Sequence, residues 1–138
     1  MKQVLIVFFI LFAQLAFAQT AKLTIIVNNI EEIKGRLELG IYNEAKNFPK
    51  EDLQYKKIYH KVNSKTEKII IDLPIGEYAV AVYHDVNTNG KCDRNFIRIP
   101  TEGYGFSNNI KPLLSAPDFK KTKFSLNKDT TIKIDLIQ

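Results

Sequence analysis

Cysteine and tryptophan are almost absent from this chain of 138 residues, which has one cysteine and no tryptophan. Because Cys92 is alone, no intrachain disulfide can form, and the core must hold the fold without covalent cross-links. Histidine is also scarce, and neither His60 nor His84 has the ligand-pair spacing of a zinc site. The composition therefore excludes a disulfide scaffold and disfavours a zinc enzyme.

The sequence also lacks the apolar period of an amphipathic helix. Apolar residues recur instead at every second position, which is the pattern of half-buried strands. The clearest alternating sets are Leu23, Ile25 and Val27; Leu37, Leu39 and Ile41; Ile58 and Val62; Ile69, Ile71 and Leu73; Phe124 and Leu126; and Ile132, Ile134 and Leu136. About seven short strands at this spacing predict an all-β fold, an antiparallel β-sandwich with Greek-key connections. A small barrel is the alternative.

Residues 77–84 are predicted to form a central strand, because they are apolar on both faces. Tyr78, Val80 and Val82 face one way, and the small Ala79 and Ala81 on the other face predict that further residues pack closely over them. Phe48 is expected to fold back as a cap on the core. The residues expected to be buried are Leu39, Ile71, Val80, Val82, Phe124 and Ile134. A hairpin turn at residues 127–129 is predicted to join the last two strands.

No cluster of basic residues accompanies the net charge of +5. Lysines are spread along the predicted strands, whereas a nucleic-acid-binding protein gathers them in a patch or stripe. Scattered lysines solvate the outer face of a sheet and protect its edges from pairing. We therefore expect no nucleic-acid partner.

A long apolar run occurs only at the start of the chain, in residues 4–12. It follows Lys2, is too short to span a bilayer, and precedes Ala16-Phe17-Ala18, which fits the small-x-small rule of signal-peptide cleavage. Residues 1–18 are therefore predicted to be a signal peptide. Residues 19–138 are predicted to be a single exported β-sandwich domain, periplasmic or extracellular, without a transmembrane segment. An uncleaved N-terminal anchor is the alternative.

One segment, residues 84–93, has the spacing of a binding site. Oxygen-bearing side chains stand at alternate positions, and Gly90 follows where the chain must bend. This is the first two-thirds of a calcium loop of the D-x-N-x-N-G type. The predicted metal ligands are Asp85, Asn87, Asn89, Lys91 through its carbonyl, and Asp93. Cys92 occupies the position of the inward apolar plug in such loops.

The predicted calcium site is incomplete. Its twelfth position is Phe96, which cannot coordinate a cation, and Lys91 and Arg94 repel one. We therefore expect a dissociation constant of about 10⁻⁴ to 10⁻³ M, with Glu102, another loop or water completing the shell. The alternative is a polar turn in which Asp and Asn side chains bond their own backbone. No other cofactor is predicted.

His84 beside Asp85 offers a catalytic interpretation by acid–base chemistry. No recognisable motif places a nucleophile with them, and His84 shares a strand face with Val80 and Val82, so no catalytic residue is assigned. Residues 102–109 are rich in glycine and aromatics. They are typical either of a ligand-stacking platform or, as we favour, of a strand whose aromatics pack inward.

The combined motifs resemble the exported bacterial family called domain of unknown function 2141. The resemblance rests on residues 73–82, on His84-Asp85 with the Asn-x-Asn-Gly-x-x-Asp loop that follows, and on residues 102–109. It implies a prealbumin- or transthyretin-like sandwich in an exported protein, and it implies no reaction. Cys92 stands where the family usually has an aliphatic residue, which adds an oxidisable group.

The sequence therefore favours a non-enzymatic exported module that binds an envelope protein or a small ligand, with calcium as a structural ion. The alternative is a periplasmic or secreted enzyme that uses His84 and Asp85.

Overall fold

Alternating apolar residues build two sheets that face each other in a computed structural model, which describes residues 19–138. The signal peptide predicted for residues 1–18 lies outside the described residues. The strands are β1 (Thr20–Asn28), β2 (Arg36–Tyr42), β3 (Lys56–Lys61), β4 (Glu67–Pro74), β5 (Gly76–Asp85), β6 (Tyr104–Phe106), β7 (Phe124–Leu126) and β8 (Thr130–Asp135). The predicted all-β sandwich is confirmed, with eight strands in place of about seven.

The first sheet has the order β4-β1-β8, and the second has the order β3-β2-β5-β6 with β7 also paired to β5. All pairs of named strands are antiparallel except β1 with β8, which run parallel. The only helical elements within residues 19–138 are a 3₁₀ turn at Ser107–Asn109 and a short helix α1 at Phe119–Thr122. No helix in that range has the length and apolar character needed to cross a membrane.

The predicted hairpin between β7 and β8 is wrong. β7 pairs with β5 in the second sheet, whereas β8 pairs with β1 in the first. Residues 127–129 therefore cross between the sheets, and the Asp129 carboxylate accepts a hydrogen bond of 2.8 Å from the backbone N–H of Lys22 in β1. Alternation in two neighbouring segments fixes which side chains turn inward, but it does not fix which strand each segment pairs with.

The core lies between the sheets and is built from the inward faces of the central strands. Leu39, Val80, Val82 and Ile134 are buried as predicted, while Ile71 and Phe124 are only partly buried and pack against the core at its margin. The other members are Ala21, Leu23, Ile25, Val27, Ile30, Leu37, Ile41, Val62, Ile69, Leu73, Tyr78, Leu126 and Leu136. Apolar burial of this kind contributes about 25 cal/mol for each Å² removed from water.

A second apolar layer covers the outer face of the second sheet. We call it the outer aromatic cluster: Tyr42, Phe48, Ala79 and Phe106, with Ala81, Tyr104 and Phe119 partly buried against them. Phe48 is buried and meets Tyr42 edge-on with ring centroids 5.2 Å apart. The prediction that residues pack over the alanines of β5 is therefore confirmed. Phe48 is buried, but it covers the outer face of the second sheet and does not cap the core between the sheets.

Candidate functional site

The polar loop of residues 85–93 begins where β5 ends and is anchored by Asp85. This carboxylate is 0% exposed and accepts hydrogen bonds from the backbone N–H groups of Asn89 (3.0 Å) and Gly90 (2.9 Å). Gly90 has φ +77°, a left-handed conformation that most residues adopt only with strain. Asp85 therefore fixes the bend from the inside of the loop.

Asp93 closes the far end of the loop by accepting hydrogen bonds from both asparagine amides. Its carboxylate oxygens lie 2.9 Å from the Asn89 Nδ2 and 2.7 Å from the Asn87 Nδ2. These bonds, from Asn89 foremost and then from Asn87, hold the pKa of Asp93 below its ordinary value. The charged form of Asp93 is therefore favoured before any cation is present.

The asparagine oxygens organise the turn itself. Asn87 Oδ1 accepts from the backbone N–H of Asn89 at 3.1 Å, and Asn89 Oδ1 accepts from the backbone N–H of Lys91 at 2.9 Å. The structure thus brings the side chains of Asp85, Asn87, Asn89 and Asp93 into one hydrogen-bonded loop. Lys91 belongs to this loop through its backbone, and its side chain is exposed.

Glu102 ties the two ends of the loop together, a role that the sequence analysis missed. One of its carboxylate oxygens accepts from the backbone N–H of Val86 and the other from that of Asp93, both at 3.0 Å. The sequence had offered Glu102 only as an additional calcium ligand. Pairing of β6 with β5 brings Glu102 back to the loop, and no local pattern in the sequence reports such a long-range contact.

His84 and Asp85 do not form an acid–base pair. Alternation along β5 sends the two neighbouring side chains to opposite faces of the sheet. The His84 side chain is buried on the face of Val80 and Val82, and its Nε2 lies 2.7 Å from the carbonyl oxygen of Lys34. Asp85 turns instead toward the loop. The geometry therefore does not support the catalytic interpretation of these two residues.

A buried carboxylate, Glu38, lies on the outer face of the second sheet beside the loop and was also missed. It accepts hydrogen bonds from Arg36 (2.6 Å) and from the hydroxyl of Tyr83 (2.7 Å), and the Lys57 ammonium lies 3.6 Å away. Burial, together with the Glu38 charge, raises the pKa of Tyr83 far above its ordinary value. Tyr83 is therefore a neutral hydrogen-bond donor to Glu38 at neutral pH.

Arg36 links this carboxylate to the loop. Its Nη2 bonds Glu38 and also lies 3.2 Å from Oδ2 of Asp85. The guanidinium therefore neutralises part of the charge at the anchor of the loop. Local alternation along β2 cannot predict this arrangement, because it does not show that β5 brings Tyr83 beside Glu38.

Cys92 occupies the position predicted for the apolar plug of the loop. Its side chain is partly buried, and burial raises the pKa of the thiol to about 11. The thiol is therefore protonated at neutral pH, which makes it a poor nucleophile.

Residues 104–106 of the glycine- and aromatic-rich segment form strand β6, as favoured, but the prediction that the aromatics of this strand pack into the core is wrong. Phe106 is buried and Tyr104 partly buried in the outer aromatic cluster, so the two rings pack against this cluster rather than between the sheets. A Cβ on Gly105 would come within 2.7 Å of the Ile134 Cγ2, so the β6 backbone packs directly against this side chain of β8. The aromatics of this segment are therefore structural.

The titratable residues of the loop do not by themselves make a metal centre. Among residues 19–138, no group of three or more His, Cys, Asp or Glu side chains could hold a metal ion. The predicted calcium set differs in kind, because it counts two amide oxygens and one carbonyl oxygen beside two carboxylates.

Residues 25–133 match the model of a family described as "Uncharacterized protein conserved in bacteria (DUF2141)". The matched range includes residues 73–82, the polar loop and residues 102–109, which are the segments that carried the resemblance. No curated protein and no solved structure matches this chain.

Proposed function

The chain belongs to this bacterial family, and we propose that it is an exported, non-enzymatic binding module whose polar loop takes calcium weakly. The proposal of export is supported by the sequence, in which Lys2, the apolar run of residues 4–12 and Ala16-Phe17-Ala18 follow the order of a signal peptide. An enzyme that uses His84 and Asp85 is the weaker alternative, because their side chains face opposite ways.

The closed polar loop is the observation that carries the calcium proposal. Four side chains with oxygen atoms are held around one turn, its anchor Asp85 is buried, and Glu102 fixes both of its ends. A rigid loop of this kind loses little conformational entropy when an ion binds. Calcium accepts flexible shells of oxygen ligands, whereas magnesium requires a stricter octahedron.

Three features of the loop keep the affinity low. Binding requires the amides of Asn87 and Asn89 to turn their oxygens toward the ion, which breaks their hydrogen bonds to Asp93. Arg36 already lies against Asp85. Only two carboxylates oppose the charge of the ion, so a dissociation constant of about 10⁻⁴ to 10⁻³ M follows from comparison with extracellular calcium modules.

Thermal melts in calcium and in magnesium test this proposal. A ten-fold excess of calcium over its dissociation constant stabilises the folded state by about 1.4 kcal/mol. The melting temperature should therefore rise with millimolar calcium and much less with magnesium. Asp93→Asn should abolish the rise, because it removes one of the two carboxylates. Asp72→Asn, at an exposed position of β4, is the matched control and should leave the rise unchanged.

A second variant tests whether an added carboxylate raises the affinity of the loop for calcium. Asn87→Asp adds a charged ligand and removes one amide donor to Asp93, so it should lower stability without calcium and strengthen calcium binding. Calorimetry measures both effects on one sample. If neither the native protein nor Asn87→Asp responds to calcium up to about 10 mM, well above the range of weak extracellular sites, the loop is a hydrogen-bonded turn and the calcium proposal is wrong.

A further inference from the structure

An apolar tip projects from the chain directly after the polar loop. Phe96 is 97% exposed, Ile97 58% and Ile99 51%. These three side chains lie within residues 94–100, which we call the finger. Apolar residues that are exposed singly need no explanation. Three exposed apolar side chains within one short turn instead indicate an interaction site.

The finger is a built turn with its own hydrogen bonds. Arg94 and Pro100 pair as an isolated antiparallel bridge, and the backbone N–H of Asn95 donates to the Ile99 carbonyl at 2.9 Å. The side-chain oxygen of Asn95 accepts from the N–H groups of Ile97 (3.1 Å) and Ile99 (3.0 Å). The turn therefore presents its apolar side chains outward in a fixed arrangement.

The base of the finger continues the polar loop. The backbone N–H of Thr101 donates to the Asp93 carbonyl at 2.8 Å, and Glu102 accepts from the Asp93 N–H at 3.0 Å. The finger is thus held at its base by the same residues that close the loop.

The charge of the finger is of one sign. Residues 94–100 contain Arg94 and Arg98 and no acidic residue, and the Arg94 side chain lies against the turn, 3.4 Å from the Arg98 carbonyl. Both arginines are exposed beside the apolar side chains. A partner that complements this surface has a negatively charged face with an apolar interior directly behind it, which is the structure of an anionic bilayer surface.

We propose that the finger docks this protein on an anionic phospholipid surface. Phe96 and Ile97 enter the boundary between headgroups and acyl chains, and Arg94 and Arg98 pair with the lipid phosphates. The inference stands apart from calcium binding, because none of these contacts uses the predicted metal ligands. It adds a lipid surface as the partner of the module.

Vesicle flotation tests the docking with residues 19–138, which contain both sheets and the whole described core. Phosphatidylglycerol–phosphatidylcholine vesicles should carry the protein upward in a calcium-free buffer with chelator, and vesicles of phosphatidylcholine alone should not. Binding should weaken as salt is added. The double variant Phe96→Ser/Ile97→Ser should lower partitioning by about ten-fold or more, because the transfer of two apolar side chains is lost.

Two control variants match the finger variants in chemistry. Leu113 and Leu114 are 95% and 103% exposed outside the finger, so Leu113→Ser/Leu114→Ser removes as much exposed apolar surface elsewhere. For charge, Arg94→Gln/Arg98→Gln is compared with Lys68→Gln/Lys133→Gln, at exposed positions of the first sheet. The finger arginine variant should lower binding by about ten-fold and the lysine variant much less, since a basic residue attracts the surface only at close range.

Because the chain has no tryptophan, the fluorescence of one introduced tryptophan can report whether the tip of the finger inserts into the bilayer. Phe96→Trp places a single fluorophore at the tip, and its emission should shift to the blue on anionic vesicles and be quenched by brominated lipids. Leu114→Trp should show neither change. Thermal melts of every variant establish that the fold is retained, as expected for substitutions at exposed positions.

Three outcomes overturn the proposal. The first is that the native protein fails to float with anionic vesicles. The second is that the finger variants float as well as the native protein, and the third is that Leu114→Trp responds as strongly as Phe96→Trp. A native dimer that Phe96→Ser/Ile97→Ser converts to a monomer, without any vesicle binding, assigns the finger to contact between copies instead. A calcium response without flotation would support the calcium proposal and would contradict only the proposal of lipid docking.

Discussion

At the scale of single residues, Ser107 substitutes for a missing piece of strand. β6 and β7 pair with separate parts of β5, at residues 81–83 and 76–78, and Val80 lies between them. The backbone N–H of Val80 donates to the buried Ser107 hydroxyl at 2.9 Å, and that hydroxyl donates to the Thr122 carbonyl at 2.6 Å. One side chain thus satisfies two backbone groups that would otherwise be buried without partners.

Ser107→Ala should therefore destabilise the protein. The substitution leaves the Val80 N–H and the Thr122 carbonyl unpaired, and each unsatisfied buried group costs about 1–3 kcal/mol. Urea unfolding at neutral pH measures the loss. Ser125→Ala, at an exposed position of β7, is the control and should change stability by less than about 0.5 kcal/mol. Equal stabilities for the two variants would contradict this account of Ser107.

The residues of the polar loop show what the sequence can and cannot predict about a site. The alternate spacing of Asp85, Asn87 and Asn89 predicts a tight loop because their short polar side chains bond nearby backbone. Glu102 and Arg36 reach the loop only through strand pairing, which joins residues far apart in the chain. Local spacing therefore predicted the loop itself, offered Glu102 only as a calcium ligand, and missed Arg36.

At the scale of elements, strands were predictable and their partners were not. Apolar and polar residues alternate when one face of a strand is buried, so the sequence predicts the core positions of β1, β2 and β5. Nothing in residues 124–136 shows that β7 joins one sheet and β8 the other. That choice depends on long-range contacts such as the hydrogen bond of Asp129 to β1.

Gly105 in β6 tests how closely the two sheets approach. A Cβ at this position would lie 2.7 Å from the Ile134 Cγ2 and 3.3 Å from the Asp135 carbonyl oxygen. Because Ile134 is buried in the core, it has little room to move, and Gly105→Ala should destabilise the protein by about 1–3 kcal/mol. Chemical denaturation provides the measurement.

Gly76 in β5 supplies the matched control for this substitution. Its added Cβ would meet the nearest atom, in the ring of Tyr78, at 3.6 Å, which is an ordinary contact. Gly76→Ala should therefore leave the free energy of unfolding nearly unchanged. A loss for Gly76→Ala as large as that for Gly105→Ala would show that the close approach is not the cause.

At the scale of the whole molecule, export is a prediction that rests on the N-terminal sequence. We expect mass spectrometry of the protein from its native host to find Gln19 as the first residue, because Ala16 and Ala18 occupy the two small-residue positions of the cleavage rule. Ala16→Arg should block cleavage and leave the precursor intact, whereas Gln14→Arg, outside those positions, should be processed. Native protein that is soluble in the cytoplasm with Met1 intact would refute the expectation.

The parallel pairing of β1 with β8 also determines how the sandwich resists a pulling force. Residues 23–28 of β1 lie in register with residues 130–135 of β8, and the two strands run in the same direction. Tension applied at Thr20 and Asp135 pulls these strands along their axes in opposite directions. The load then falls on all of the ladder's hydrogen bonds together, whereas a hairpin pulled at its open end loses its bonds one at a time. A domain pulled at the start of β1 and the end of β8 would therefore bear force in its stronger direction.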